Sequence, residues 1–278
     1  MGLPSKKEIF RRIISSAIGV PIVISFFVSY PALMALVALA SYIAGLEFVR
    51  MILPSHTPVI RSILFALIFP LLTITMGFLI SYPYWFMIIL SFGFCLMMSL
   101  GMVIKRDPSL IHSQIQQGFF GLFYIAFNLG LMQYIYWFYG WEHALLTLTC
   151  VWFFDTGAFF AGSRFGRRKL IPSISPKKTV EGVIGGFVVS FLCILVYDAI
   201  VTGISRKVMS VPHIFWFCIL LALSATFGDL FESVLKRYYS QKDAGSILPG
   251  HGGILDRIDS LLFTIPVYII LLKIFHGN

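Results

Sequence analysis

Apolar residues run through this chain in stretches of about twenty, separated by short polar connections. A helix needs about 20 mostly apolar residues to cross the hydrocarbon core of a bilayer. Nine stretches meet that length, near 12–30, 32–51, 62–81, 84–104, 118–139, 143–163, 180–203, 211–235 and 258–276. The pattern predicts an all-α polytopic membrane protein with about nine transmembrane helices. The first two stretches nearly touch, and their division is the least marked. No long soluble insert parts any pair, so residues 1–278 read as a single transmembrane domain, with N-terminal helices over 1–139 and chemistry-bearing helices and loops over 140–278. No fixed-period repeat is present. Ser109–Gln117 is predicted to be an interfacial helix. No small-residue cleavage site follows the first run, which is read as a span and not as a removable signal.

Composition agrees. The 278 residues are 58% hydrophobic and 12% charged, with mean hydropathy +0.90. Soluble domains carry about twice that share of charge. Cys95, Cys150, Cys193 and Cys218 all fall in apolar runs without metal-ligand spacing, and are read as small buried hydrophobes. The net charge of +9 would suggest nucleic acid in a soluble protein; here its distribution excludes that partner. With the N-terminus on the cytosolic side, all of the 21 lysines and arginines except Arg206, Lys207 and Lys273 face the cytosol. Positive charge concentrates on that side in membrane proteins. The expected topology is therefore N-terminus cytosolic and C-terminus outside.

Carboxylates inside apolar spans are costly and mark functional sites. Asp155 interrupts WFFDTGAFFAGSRFG, Asp229 interrupts ALSATFGDLFESVLKR, and Asp256 and Asp259 open GILDRIDSLLF. Glu47 and Asp198 lie nearer span ends without polar company in sequence, and are read as structural or interfacial. Asp229, Glu232, Ser233, Lys236 and Arg237 share one helical stripe, as do Asp256, Asp259 and Ser260. A rise of about 1.5 Å per residue sets Asp229 about 10 Å from Lys236 and Asp155 about 13 Å from Arg164. The acids are expected to line a cavity open to the cytosol.

The connections between spans suit phosphate. SPKKT (175–179) offers two lysines and then Thr179 as a helix N-cap. Leu248-Pro-Gly-His-Gly-Gly253 is a Gly-rich turn whose backbone N–H groups can approach phosphate oxygens. It is not a P-loop, because His251 stands where that motif needs Lys and no strand precedes it. Each feature alone has a plainer source: topology signals, lipid contact or a helix–helix hydrogen bond. Together, acids, cations and a Gly-rich loop form the constellation that handles nucleotide polyphosphates with a divalent metal.

The stretch SVLKRYYSQKDAGSILPGHGGILDRID, from Ser233 to Asp259, resembles the signature of the phosphatidate cytidylyltransferases. Its S-x-x-K-R, K-D, P-x-H-G-G and D-R-x-D elements keep that family's spacing. DTGAFFAGSRFGRRKLIPSISPKKTVEG (155–182) is similar to the family as well; the N-terminal spans match only in being hydrophobic.

The resemblance implies transfer of a cytidylyl group from CTP to phosphatidic acid, giving CDP-diacylglycerol and pyrophosphate, with Mg2+ required, and suggests a second cation such as K+. A lipid phosphate, largely ionised near neutral pH, needs no general base. It needs relief from polyanion repulsion and an in-line pose. On this reading Asp229 and Asp256 are metal ligands, with Asp259 and Asp155 as secondary ligands or supports. Lys236, Arg237, Lys242 and Arg257 join Asp229 and Asp256 as catalytic groups. Arg164, Lys177, Lys178, Ser233, His251, Gly252 and Gly253 are the substrate-binding candidates.

The resemblance also makes a homodimer plausible, and a bacterial plasma (inner) membrane is the expected location. Alternatives are a CTP-dependent transferase acting on an ether-lipid phosphate or a polyprenol, and an ion-coupled transporter. The transporter would favour midplane acids and paired broken helices.

Overall fold

The computed structural model describes residues 19–53, 59–80, 88, 91–92, 95, 99, 116–204, 209–241, 243–245 and 252–276. In chain order the elements are α1 (Gly19–Val28), α2 (Tyr30–Ile52), α3 (Val59–Ala66) and α4 (Ile68–Phe78). After them come α5 (Gln116–Tyr139), α6 (Trp141–Phe165), β1 (Lys169–Ile171), β2 (Ser175–Thr179), α7 (Val180–Ile204), α8 (Val211–Tyr238) and α9 (Leu255–His276). Six of these helices are long and apolar enough to cross a membrane: α2, α5, α6, α7, α8 and α9. They fall on the stretches expected at 32–51, 118–139, 143–163, 180–203, 211–235 and 258–276. The stretch expected at 62–81 is two shorter helices, α3 and α4, meeting at Leu67. Only the end of the 12–30 stretch is described, as α1. The 84–104 stretch and the interfacial helix expected over 109–117 lie almost wholly outside the described residues.

The chain divides into two compact units. One holds Met1–Trp137 and Gln241–Asp256, the other Phe138–Ser240 and Arg257–Asn278.

In the first unit, small and polar residues replace bulk where helices meet. A Cβ on Gly45 of α2 would sit 2.5 Å from the Phe69 ring of α4, so glycine there lets the two helices close. Thr73 of α4 donates its hydroxyl to Ser41 of α2 at 2.9 Å, and the Gln133 amide of α5 donates to the Thr73 carbonyl at 2.9 Å. Such buried polar groups find partners inside the bundle because lipid offers none. Helix α5 contains one π-helical stretch, Leu122–Phe127. The Asn128 side chain donates to the Phe123 and Tyr124 carbonyls at 3.1 and 2.9 Å, supplying donors where the helical ladder is offset.

The second unit is built on the pair α6–α7. Gly157, Ala158, Ala161 and Gly162 on α6 face Gly182, Gly185 and Gly186 on α7: a Cβ on Gly185 would collide with Ala161, and one on Gly186 would meet Phe154 at 2.7 Å. Small residues spaced four apart allow this close approach, the usual way apolar helices associate in a bilayer. A short antiparallel hairpin joins the two helices, pairing Lys169 with Thr179 and Ile171 with Ser175, with an irregularity between. It is pinned to α7 by Glu181, whose carboxylate accepts the N–H of Arg167 at 3.0 Å and of Arg168 at 3.2 Å. Thr179 caps α7 as expected, its hydroxyl accepting the Gly182 N–H at 3.1 Å. The lysine-bearing segment expected as a loop is therefore a strand with fixed ends.

Candidate active site

In the second unit, α8 and α9 cross where Gly228 leaves room. A Cβ there would lie 2.5 Å from the Asp259 carbonyl. Ser260 of α9 donates to the Ala225 carbonyl of α8 at 3.1 Å, and Ser224 and Thr264 hydroxyls meet at 3.3 Å. This crossing brings Asp259 against the stripe of α8. One carboxylate oxygen each from Asp229, Glu232 and Asp259 lies within 4.8 Å of the others. Glu232 and Asp259 are buried and Asp229 is partly open. Asp155 of α6 lies within electrostatic reach of Asp229, Lys178 and Arg257.

Cations answer these acids. Lys178 of β2 contacts Asp229 at 2.8 Å and donates to the Thr226 carbonyl at 3.2 Å. Lys236 contacts Glu232 at 2.6 Å, one turn along α8. Ser233 Oγ lies 3.5 Å from Asp229 Oδ1. The stripe read from the sequence thus forms, and the hairpin adds Lys178 to it. Lys177, the preceding residue on the strand, is exposed. Arg237 and Arg257 are exposed at the end of α8 and the start of α9. Arg164 is exposed on the last turn of α6, with its guanidinium carbon 5.9 Å from the Phe165 ring centre.

The first unit holds Asp256 and the described part of the Gly-rich loop. Asp256 accepts the Ala244 N–H at 3.0 Å and the Gly253 N–H at 2.9 Å. Gly252 has φ +82°, the left-handed conformation that favours glycine. The Gly253 amide, expected to face phosphate, is engaged by the chain's own carboxylate. Lys242 and His251 lie outside the described residues.

Two acids have partners that the reading of the sequence did not assign. Glu232, noted only as a member of the stripe, supplies one corner of the carboxylate cluster; its spacing of three from Asp229 was the available signal. Glu47, expected to lack polar company, accepts the N–H of Ile254 at 3.1 Å and of Leu255 at 2.8 Å. Nothing in the sequence pairs it with a segment two hundred residues on. Asp198 likewise has a partner, accepting the Met209 N–H at 3.0 Å.

Hard carboxylate oxygens gathered beside lysines suit a divalent cation and its phosphate ligands. Asp229, Glu232 and Asp259 are the described residues whose donor type and proximity would suit such an ion. Together the helices and this cluster define an integral membrane protein equipped to handle polyanions. The profile of the Cytidylyltransferase family matches residues 10–275, and the chain belongs to that family. It is 36% identical over 271 residues to a phosphatidate cytidylyltransferase of Thermotoga maritima, covering 97% of this chain and 98% of the relative. It is 44% identical over 139 residues to the phosphatidate cytidylyltransferase of Bacillus subtilis, covering 49% of each chain. A Staphylococcus epidermidis phosphatidate cytidylyltransferase is 44% identical over 133 residues, 48% of this chain and 50% of the relative.

Proposed function

We propose that this protein transfers the cytidylyl group of CTP to phosphatidic acid, releasing pyrophosphate and forming CDP-diacylglycerol. The observation that carries the reading is the cluster Asp229–Glu232–Asp259 flanked by Lys178 and Lys236, in a chain that matches a relative of that name along nearly its whole length. The lipid phosphate oxygen attacks the α-phosphorus of CTP and the bond to pyrophosphate breaks. Mg2+, when bound, supplies charge neutralisation and a template for the in-line displacement. Asp229, Glu232 and Asp259 have the donor type and spacing to hold it, with Asp155 as support. Asp256 is assigned to a cation from the loop, and K+ is the candidate for a second ion.

Lys178 and Lys236 are already poised on carboxylates. With a divalent cation held by the acids, the Lys178 and Lys236 ammonium groups would be able to meet phosphate oxygens. Arg237 and Arg257, both exposed, extend the positive surface, and Lys177 and Arg164 are assigned to the outer phosphates of CTP. No side chain is asked to act as a base. The site is taken to face the cytosol of a bacterial inner membrane, where CTP is dissolved and phosphatidic acid presents its headgroup. A homodimer is part of the same proposal.

The test is incorporation of labelled CTP into chloroform-extractable lipid, with phosphatidic acid, its ether analogue and a polyprenol in parallel. Incorporation with phosphatidic acid at wild-type Mg2+ supports the reading, and incorporation only with another acceptor replaces the substrate. Asp229→Asn and Asp256→Asn should each lower turnover at least roughly 10²-fold, with part of the loss restored by raised Mg2+ in the weaker variant. Retained turnover in Asp256→Asn at low Mg2+ would remove that residue from the metal assignment.

A further inference from the structure

We infer that Glu47 is a positioning residue for the reaction: from helix α2 it sets the loop that carries Asp256. The inference rests on the proposed assignment of Asp256 to a cation. Glu47 is 2% exposed toward the C-terminal end of the apolar helix α2. Its two carboxylate oxygens are split between adjacent backbone donors, Oε1 taking the Ile254 N–H at 3.1 Å and Oε2 the Leu255 N–H at 2.8 Å. These N–H groups lie at the start of α9, where the helix itself offers no acceptors. The loop is shaped to this carboxylate. A Cβ on Gly253 would fall 2.6 Å from Glu47 Oε2, and one on Gly245 would also collide with the Glu47 carboxyl group. Asp256, one residue beyond Leu255, ties the same loop from the other side through the Ala244 and Gly253 amides.

The two carboxylates thus divide the Ala244, Gly253, Ile254 and Leu255 N–H groups between them, and the setting of Asp256 depends on Glu47. Only an acceptor at both oxygens satisfies two N–H groups. Glutamine presents an NH2 where one donor points, so one bond becomes a donor–donor clash. Aspartate is one methylene short. This explains a buried acid in a helix that otherwise carries none of the recognisable chemistry.

The experiment uses the full chain in lipid bilayers. Turnover is followed across a Mg2+ series, and a cysteine at Ala244, buried in the same loop with its N–H on Asp256, reports loop exposure through its labelling rate with a water-soluble maleimide. Glu47→Gln and Gly253→Ala, which disturb the contact from opposite sides, should each raise half-saturating Mg2+ and labelling rate by about 10-fold, the scale of one lost hydrogen bond to a charged group. Glu47→Asp should fall between them and wild type, and the folded fraction should hold.

A lower folded fraction, with labelling and Mg2+ dependence per folded molecule unchanged, would overturn the inference and leave Glu47 as a brace. Asp256→Asn separates the two claims. If it shifts the Mg2+ dependence and Glu47→Gln does not, the Glu47 inference fails alone. If Asp256→Asn leaves the Mg2+ dependence unchanged while Glu47→Gln still speeds labelling, the metal assignment fails and the hold of Glu47 on the loop stands.

Discussion

Replacing Lys178 tests whether the hairpin belongs to the site. Its ammonium lies 2.8 Å from Asp229, with the two side chains 17% and 42% exposed. Two unit charges at that distance attract by roughly 6 kcal/mol at an effective dielectric constant of 20. The open face of Asp229 admits screening, which reduces the net contribution of such pairs to about 1 kcal/mol. Lys178→Ala should therefore leave a folded protein. Its effect on chemistry should be larger. A cation aimed at charge that develops in the transition state contributes about 10²-fold, or roughly 2.7 kcal/mol.

Lys177→Ala is the internal control, since that side chain is exposed while Lys178 holds Asp229. The assay is turnover per folded molecule, with the folded fraction taken from size-exclusion recovery. Lys178→Ala should lose about 10²-fold and Lys177→Ala less than about 10-fold, the latter through weaker CTP use. Lys178→Arg should keep more activity than Lys178→Ala because charge is the main contribution. Equal losses in the two alanine variants, or wild-type turnover in Lys178→Ala, would refute the reasoning.

Other consequences follow from single contacts. Glu232→Gln should lower turnover and raise the Mg2+ requirement, because it removes one of three clustered carboxylates and the partner of Lys236; an unchanged Mg2+ series would exclude Glu232 from the cluster's role. Gly185→Leu should abolish folding in detergent, since even a Cβ there collides with Ala161; normal recovery of the folded protein would show that α6 and α7 do not need this close approach. A cysteine at Ser173, exposed in the hairpin turn, should react with impermeant reagents only from the cytosolic side, and labelling from outside would reverse the topology.

Much of this was legible in the sequence because the signals are local. Six of the expected spans appear as helices since length and hydropathy alone decide membrane crossing. The stripe from Asp229 to Lys236 survives because helical periodicity fixes which side chains share a face. The Thr179 cap was readable for the same reason. What the sequence hid is long-range. Nothing in SPKKT says that the second lysine, and not the first, reaches an acid on α8; that depends on how a short strand is set against Thr226. Gly228 looked like one more small residue in an apolar run, yet it decides how closely α9 can pass. Glu47 looked isolated because its donors lie at the other end of the chain.

The acids sort by what answers them. Glu47, Asp198 and Glu181 each accept backbone N–H groups, fixed donors that hold a segment in place. An arrangement of that kind is stable with no ligand; Asp256, also held by backbone N–H groups, differs in being partly open. Asp229 and Glu232 instead face the tips of lysines, donors on long side chains that can swing away. Asp259 is buried beside both, and among the described residues its own helix supplies a donor, the Ser260 N–H at 2.7 Å. Three carboxylates this close repel one another, and burying them together is costly unless positive charge accompanies them. Two ammonium groups on long side chains can hold the cluster in the resting protein and give way to a more compact charge. The same three acids, backed by amides in place of lysines, would have no cation to hand on to a phosphate. That difference in donor type is why the α8–α9 crossing, and not any of the other buried acids, is the place to look for the chemistry.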